Sequence, residues 1–267
     1  MDFLPKDTYN AEDLAQIVHI LRSPGGCPWD REQTHASIRM NFIEEAYEAV
    51  EAIDAGDAGM LAEELGDVLL QVALHAEMEA ELGVFDFDDV CDGICKKLIY
   101  RHPHVFGDVH AETSQQVLKN WDELKKKEKH QKTAASNLEA VPVTLPGAMR
   151  LAKLQKRAAG YGFGWADAAQ AAKTAATAAE SLAAAGKDTA EAQQAAQALL
   201  FAAIGAARLA GVDAELALTR ASEQFTAAIG NAEKAAGDGG LAALSPQQKQ
   251  QLWEETIMVP FREKTTP

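Results

Sequence analysis

Apolar residues recur every three or four positions through nearly the whole chain, a period that builds helices. Residues 11–22 put Leu14, Ile17, Val18 and Leu21 on one side. The same spacing predicts helices over 32–54, 58–82, 87–101 and 113–130, then over 148–159, 166–185, 188–210, 213–236 and 245–255. Between them stand residues that stop helices: Ser23-Pro24-Gly25-Gly26-Cys27-Pro28, then Gly56, Gly83 and Pro103. Alanine is abundant and β-branched runs are scarce, which favours closely packed helices over sheet. Nothing reads as a strand, so the expected fold class is all-α.

A chain of 267 residues holds one large or two medium domains. Pro142, Pro146 and Gly147 mark a break. The expected division is a first helical domain over 1–135, a linker over 136–147 and a second helical domain over 148–267. The two halves read as a diverged repeat. Asp67-Val-Leu-Leu and Ala198-Leu-Leu-Phe each open an apolar stretch that ends in Gly-Val, at Gly83-Val84 and Gly211-Val212. A tryptophan follows on a late helix, Trp121 or Trp253, and Gly26-Cys-Pro-Trp29 is loosely repeated as Gly162-Phe-Gly-Trp165.

The net charge is −15, and a nucleic acid polymer is repelled by such a surface unless a basic patch overcomes it. Only Lys125-Lys126-Lys127 with Lys129 forms a basic cluster, so nucleic-acid binding is not expected. A small anionic substrate remains compatible, because a bound divalent metal reverses the local field. The cysteines Cys27, Cys91 and Cys95 are odd in number and form no CxxC, so neither a disulfide framework nor a zinc site is suggested; Cys91 and Cys95, four apart on a helix, are expected to be small, buried, reduced thiols. No signal-peptide pattern opens the chain and no apolar run approaches about 18 residues. A cytoplasmic protein with no membrane partner is the expectation.

Two helices carry acids in a pattern that needs a cause. Asn41-Phe-Ile-Glu-Glu-Ala-Tyr-Glu48 reads EEAYE, and Glu63-Glu-Leu-Gly-Asp67 reads EELGD. Glu45 falls within the apolar stripe Ile38, Phe42, Ala49, Ile53, with Glu48 one turn on. Glu64 and Asp67 lie along the edge of Leu61, Leu65, Val68, Val72, in a row with Met60, Gln71 and Leu74. The four acids therefore tend toward the interior, where unpaired carboxylates are costly. Two readings stand: a solvated acidic face, or a site for an oxygen-preferring divalent cation, Mg²⁺ or Mn²⁺ first. A carboxylate-bridged di-iron bundle needs Glu-x-x-His, and here the residues three after Glu45 and Glu64 are Glu48 and Asp67.

EExxE followed after a short gap by ExxD resembles the signature of the MazG-type all-α nucleoside triphosphate pyrophosphohydrolases. Gly26-Cys-Pro-Trp-Asp-Arg-Glu-Gln33 and Arg101-His-Pro-His-Val-Phe106 resemble further segments of that family. Leu145-Pro-Gly-Ala-Met-Arg and Arg157-Ala-Ala-Gly-Tyr-Gly-Phe-Gly-Trp165 resemble the start of the second domain in its two-domain members. The resemblance spans nearly the whole chain and implies two tandem helical bundles. It implies Mg²⁺ held by Glu45, Glu48, Glu64 and Asp67, with Glu44 orienting the attacking water or a ligand. It further implies nucleotide binding by Lys97, Arg101, Trp121 and Lys125, nucleoside triphosphates as substrates, and a homodimer. The reaction so implied is hydrolysis of NTPs or dNTPs to the monophosphate and pyrophosphate; a non-enzymatic nucleotide-binding regulator or scaffold is the alternative.

Aligning Asp67 with Ala198 sets Glu64 opposite Ala195, and EExxE near Lys173-Thr-Ala-Ala-Thr177. Lys97 meets Gln224, Arg101 meets Ala228, and Lys125 meets Ile257. Acids and cations are missing together from the second repeat while the apolar framework stays. A catalytically inactive second domain is expected.

Overall fold

Helix boundaries fall where capping chemistry sets them. The computed structural model describes residues 3–117, 120, 121, 124, 133–236 and 240–261. Helix α1 (Ala11–Arg22) opens on a reciprocal pair, in which the Asp13 N–H donates to the Asn10 side chain and the Asn10 N–H to the Asp13 carboxylate. The short α2 (Pro28–Glu32) follows. Thr34 and Ser37 then form a second capping pair, which opens α3 (His35–Ala55). The single helix predicted over 32–54 is therefore split, because extended Thr34 caps a fresh start. Asp57 caps α4 (Ala58–Ala80), Asp86 caps α5 (Phe87–Arg101), and α6 (Pro103–Phe106) begins directly at Pro103. Residues 114–117, 120, 121 and 124 are helical; the rest of the predicted 113–130 helix lies outside the described residues.

The chain forms two compact units, Met1–Lys125 and Lys126–Pro267. In the first, Val18, Ile38, Ala73, Leu74 and Met78 make the core, joining α1, α3 and α4, with Leu14, Leu70 and Phe87 packed against it. Arg22 pins three elements. Its Nε and Nη2 donate to Glu81 at 2.7 and 2.9 Å, and its Nη1 donates to the carbonyls of Asp30 and Gln33 at 2.5 and 3.2 Å.

A histidine pair ties the start of α3 to the second half of α4. The Nδ1 atoms of His35 and His75 lie 2.6 Å apart, and His35 Nε2 meets Glu79 at 2.9 Å. The ring centres are 4.9 Å apart with planes only 4° from parallel. That separation exceeds the nitrogen contact by about two ring radii, so the rings meet edge to edge, where a hydrogen bond needs one Nδ1 to donate and the other to accept. A second added proton would set N–H against N–H. Burial, then the neighbouring His35 charge, lowers the His75 pKa below 6.5. A histidine lowered in the folded state adds stability that is present above 6.5 and lost as pH falls below it. The melting temperature of the native protein should therefore drop more between about pH 7.5 and about pH 5.5 than that of His75→Gln; equal slopes would refute the assignment.

In the second unit, α7 (Ala134–Glu139) and α8 (Gly147–Ala159) precede a helical hairpin of α9 (Ala168–Ala184) and α10 (Ala190–Leu209). Then come α11 (Ala214–Ala235) and α12 (Pro246–Leu252), the latter running into a π turn over Trp253–Ile257. The expected linker at 136–147 is not a free connection. It holds most of α7, Asn137 and Val141 are buried, and the Arg157 guanidinium donates to the Asn137 carbonyl. Buried Ala171, Ala178, Ala195 and Ala202 let α9 and α10 approach closely. Both α4 and α10 end in the same way: Gly83 and Gly211 are left-handed, and the N–H groups of Val84 and Val212 donate back to the carbonyls of Glu79 and Ala207 at 3.0 and 2.9 Å.

Among the described residues there is no strand, and no single helix is long and apolar enough to cross a membrane. Two expectations fail on exposure. Cys91 and Cys95 on α5 are exposed, not buried. The α3–α4 apolar stripe is only partly covered: Ile53 is 60% and Leu65 53% exposed, because the core takes Ile38, Ala49 and Ala52 from α3 and the second half of α4.

Candidate metal centre

The site belongs to one hairpin. Left-handed Gly56 reverses the chain after α3, and Asp57 restarts it as α4 within two residues. The reversal is so short that α3 and α4 run antiparallel, bringing the two acid pairs to the same level. Each pair is spaced by three, so both members sit on one helix face. One oxygen from each of Glu45, Glu48 and Glu64 lies within 4.8 Å of the others.

Asp67 stands outside that triangle, and its charge is felt at both Glu45 and Glu64. Glu45, Glu64 and Asp67 are half-buried and Glu48 is exposed, so the four acids line a rim and do not face the core as expected. The helix periodicity placed them on the stripe correctly; the stripe itself is uncovered at this end.

Like charges crowd one another at this rim. Burial, then repulsion from Asp67 and Glu48, raises the Glu45 pKa above its ordinary 4.5. Burial, then repulsion from Glu48, Glu63 and Asp67, does the same for Glu64. Glu44 is exposed and adds the weakest repulsion at Glu45. A donor set made only of carboxylate oxygens fits Mg²⁺ or Mn²⁺ and lacks the nitrogen and sulfur ligands that zinc favours.

Helix α5 packs against α4 and carries Lys97, which is exposed. Arg101, one turn on, is buried, and its guanidinium lies 5.6 Å from the centre of the Trp121 ring. His102 meets the same ring edge-on at 4.7 Å and holds the Leu98 carbonyl through Nδ1 at 2.6 Å. The structure thus places Arg101 and Trp121 against each other, leaving Lys97 as the outward cation of the pair on α5. Lys125 lies outside the described residues. Trp29 is 59% exposed and does not anchor the core.

Gln71, one turn beyond Asp67, is buried, and its Oε1 has no hydrogen-bond partner among the described residues.

Residues 33–106, which span the acid cluster and α5, match the MazG nucleotide pyrophosphohydrolase domain. Over 249 residues the chain is 38% identical to a nucleoside triphosphate pyrophosphohydrolase of Escherichia coli strain K12, covering 91% of this chain and 95% of that protein. It is 37% identical over 246 residues to the nucleoside triphosphate pyrophosphohydrolase/pyrophosphatase MazG of Thermotoga maritima, covering 91% and 94%. A match of 48% over 140 residues to the uncharacterized protein YabN of Bacillus subtilis covers 52% of this chain and 28% of that protein. With two such relatives aligned over nearly their whole length, the chain belongs to the MazG nucleotide pyrophosphohydrolase family.

Proposed function

We propose that the nucleoside triphosphate pyrophosphohydrolase activity of this chain depends on Mg²⁺, with Mn²⁺ as a substitute, and is carried by the first unit alone. Its substrates are NTPs or dNTPs and its products the monophosphate and pyrophosphate. The observation that carries this reading is the convergence of Glu45, Glu48 and Glu64 on one small volume, with Asp67 beside it. When bound, Mg²⁺ neutralises phosphate charge and makes water a better nucleophile. The chain's own part is to hold that charge in place and to orient what it binds. Glu45, Glu48, Glu64 and Asp67 are the ligands, and Glu44 is poised to orient water at the rim. Lys97, with Arg101, Trp121 and Lys125, is assigned to the nucleotide, where cations stabilise charge developing on the phosphates.

The second unit supports the restriction to one site. Gly83 and Gly211 align by their shared cap, and this moves the repeat by one turn, setting Asp67 opposite Ala195 and Glu64 opposite Ala192. In either register the counterparts are alanine, so no metal site is proposed there.

A second copy of the chain is the proposed partner. Ile43, Tyr47 and Val50 on α3, Leu65 and Leu69 on α4, and Ile94 and Leu98 on α5 are all exposed. Large apolar side chains concentrated on three adjoining helices suit a homodimer interface.

Product analysis tests the reaction. With Mg²⁺ and each common NTP or dNTP, phosphorus NMR should show monophosphate and pyrophosphate and lose both signals' growth in chelator. Diphosphate with inorganic phosphate, or no turnover of any nucleotide, would overturn the proposal.

A further inference from the structure

Among the buried residues of α4, Gln71 alone is polar. It is 6% exposed, yet its Oε1 accepts no hydrogen bond from any described residue. A buried acceptor left unsatisfied weakens a fold, and an apolar side chain of the same shape would avoid the loss. Its position suggests what offsets it. Gln71 is four residues after Asp67 and seven after Glu64, which puts it within about 20° of Glu64 around the helix. Helical side chains lean toward the N-terminus, so Gln71 reaches back over the turn that carries Asp67. Gln71 therefore shares the helix face of Glu64 and Asp67, one turn below the carboxylate rim.

Oε1 is an acceptor and repels phosphate oxygens, so its complement is a donor or a cation. Mg²⁺ and Mn²⁺ sites of few protein ligands keep several waters, each of which donates hydrogen bonds. We propose that Gln71 is a positioning residue of the metal centre, its Oε1 accepting a hydrogen bond from a water held with the cation between Glu45, Glu48, Glu64 and Asp67. This rests on the metal site proposed above. The amide orients the hydration of the ion without adding a fifth negative charge to a site that already strains to hold four. Outer partners of this kind typically change metal affinity by about 10–100-fold.

The test uses the full-length chain and Mn²⁺ as probe, with affinity read by electron paramagnetic resonance and metal-free stability by thermal melting. Gln71→Met keeps the length and removes the acceptor, and Gln71→Leu serves if Met packs badly. The expected result is a metal-free melting temperature equal to or above that of the native protein, together with Mn²⁺ affinity about 10-fold or more weaker. Unchanged Mn²⁺ affinity in both variants overturns the inference while leaving the metal site standing. A lower metal-free melting temperature with unchanged affinity also overturns it, showing that Oε1 is bound by an internal water that serves the fold alone. If the native protein itself binds no Mn²⁺, the metal site fails, and this inference with it.

Discussion

Glu48→Ala should lower turnover by about 10²-fold or more while raising the melting temperature of the metal-free protein. The two effects have one origin. Glu48, like Asp67, repels both Glu45 and Glu64, and it is exposed, so its removal opens no cavity. Alanine is also the better helix former. The protein without metal thus gains from the substitution, whereas the protein with metal loses a ligand. Added Mg²⁺ should stabilise the native chain against heat by mass action and stabilise the variant much less. A loss of activity accompanied by a loss of metal-free stability would instead make Glu48 a structural residue, and the account of the site would fail there.

Arg22→Ala should cost the first unit about 3 kcal/mol, the largest stability change expected from a single surface-remote substitution in it. Almost the whole guanidinium is out of water, and it joins the end of α1, the α2 segment and the end of α4. Removing it takes a donor from the Gln33 carbonyl and leaves the Asp30 carbonyl with only the Gln33 N–H at 3.3 Å. Glu81 is partly exposed and can turn to water, which keeps the cost below that of breaking a fully buried pair. Arg22→Lys should recover less than half, since an ammonium cannot reproduce the fork that meets a carboxylate and two carbonyls at once. Urea unfolding followed by circular dichroism reads both variants; a midpoint shift for Arg22→Ala within error of zero would show that the contacts contribute nothing.

The helices were legible because each carries its own instructions. Period and stop residues bound them, and pairs such as Asn10 with Asp13 or Asp86 with Asp89 fix where they begin. The acid pairs were legible for the same reason, since a spacing of three on two neighbouring helices is a local property. What local pattern does not contain is which neighbour covers a face. Ile53 and Leu65 continue apolar stripes and remain open. Arg101 looks like an exposed cation in a row with Lys97, yet the Trp121 ring takes it inside. The segment around Asn137 looked like a linker from its prolines and is held by Arg157 and Tyr161, contacts made across about twenty residues. The histidine pair joins residues 40 apart and could be read only once α3 and α4 were set side by side.

The central claim is one metal-dependent site per chain, in the first unit. It is tested most directly by counting Mn²⁺ bound to the full-length protein in the presence of a non-hydrolysable nucleoside triphosphate, before and after changing Glu48 and Glu64 together to glutamine. The account predicts that nucleotide-dependent Mn²⁺ binding and all turnover disappear together in the double variant, although α9 and α10 are untouched. Mn²⁺ binding or turnover that persists undiminished would contradict it and place the chemistry elsewhere in the chain.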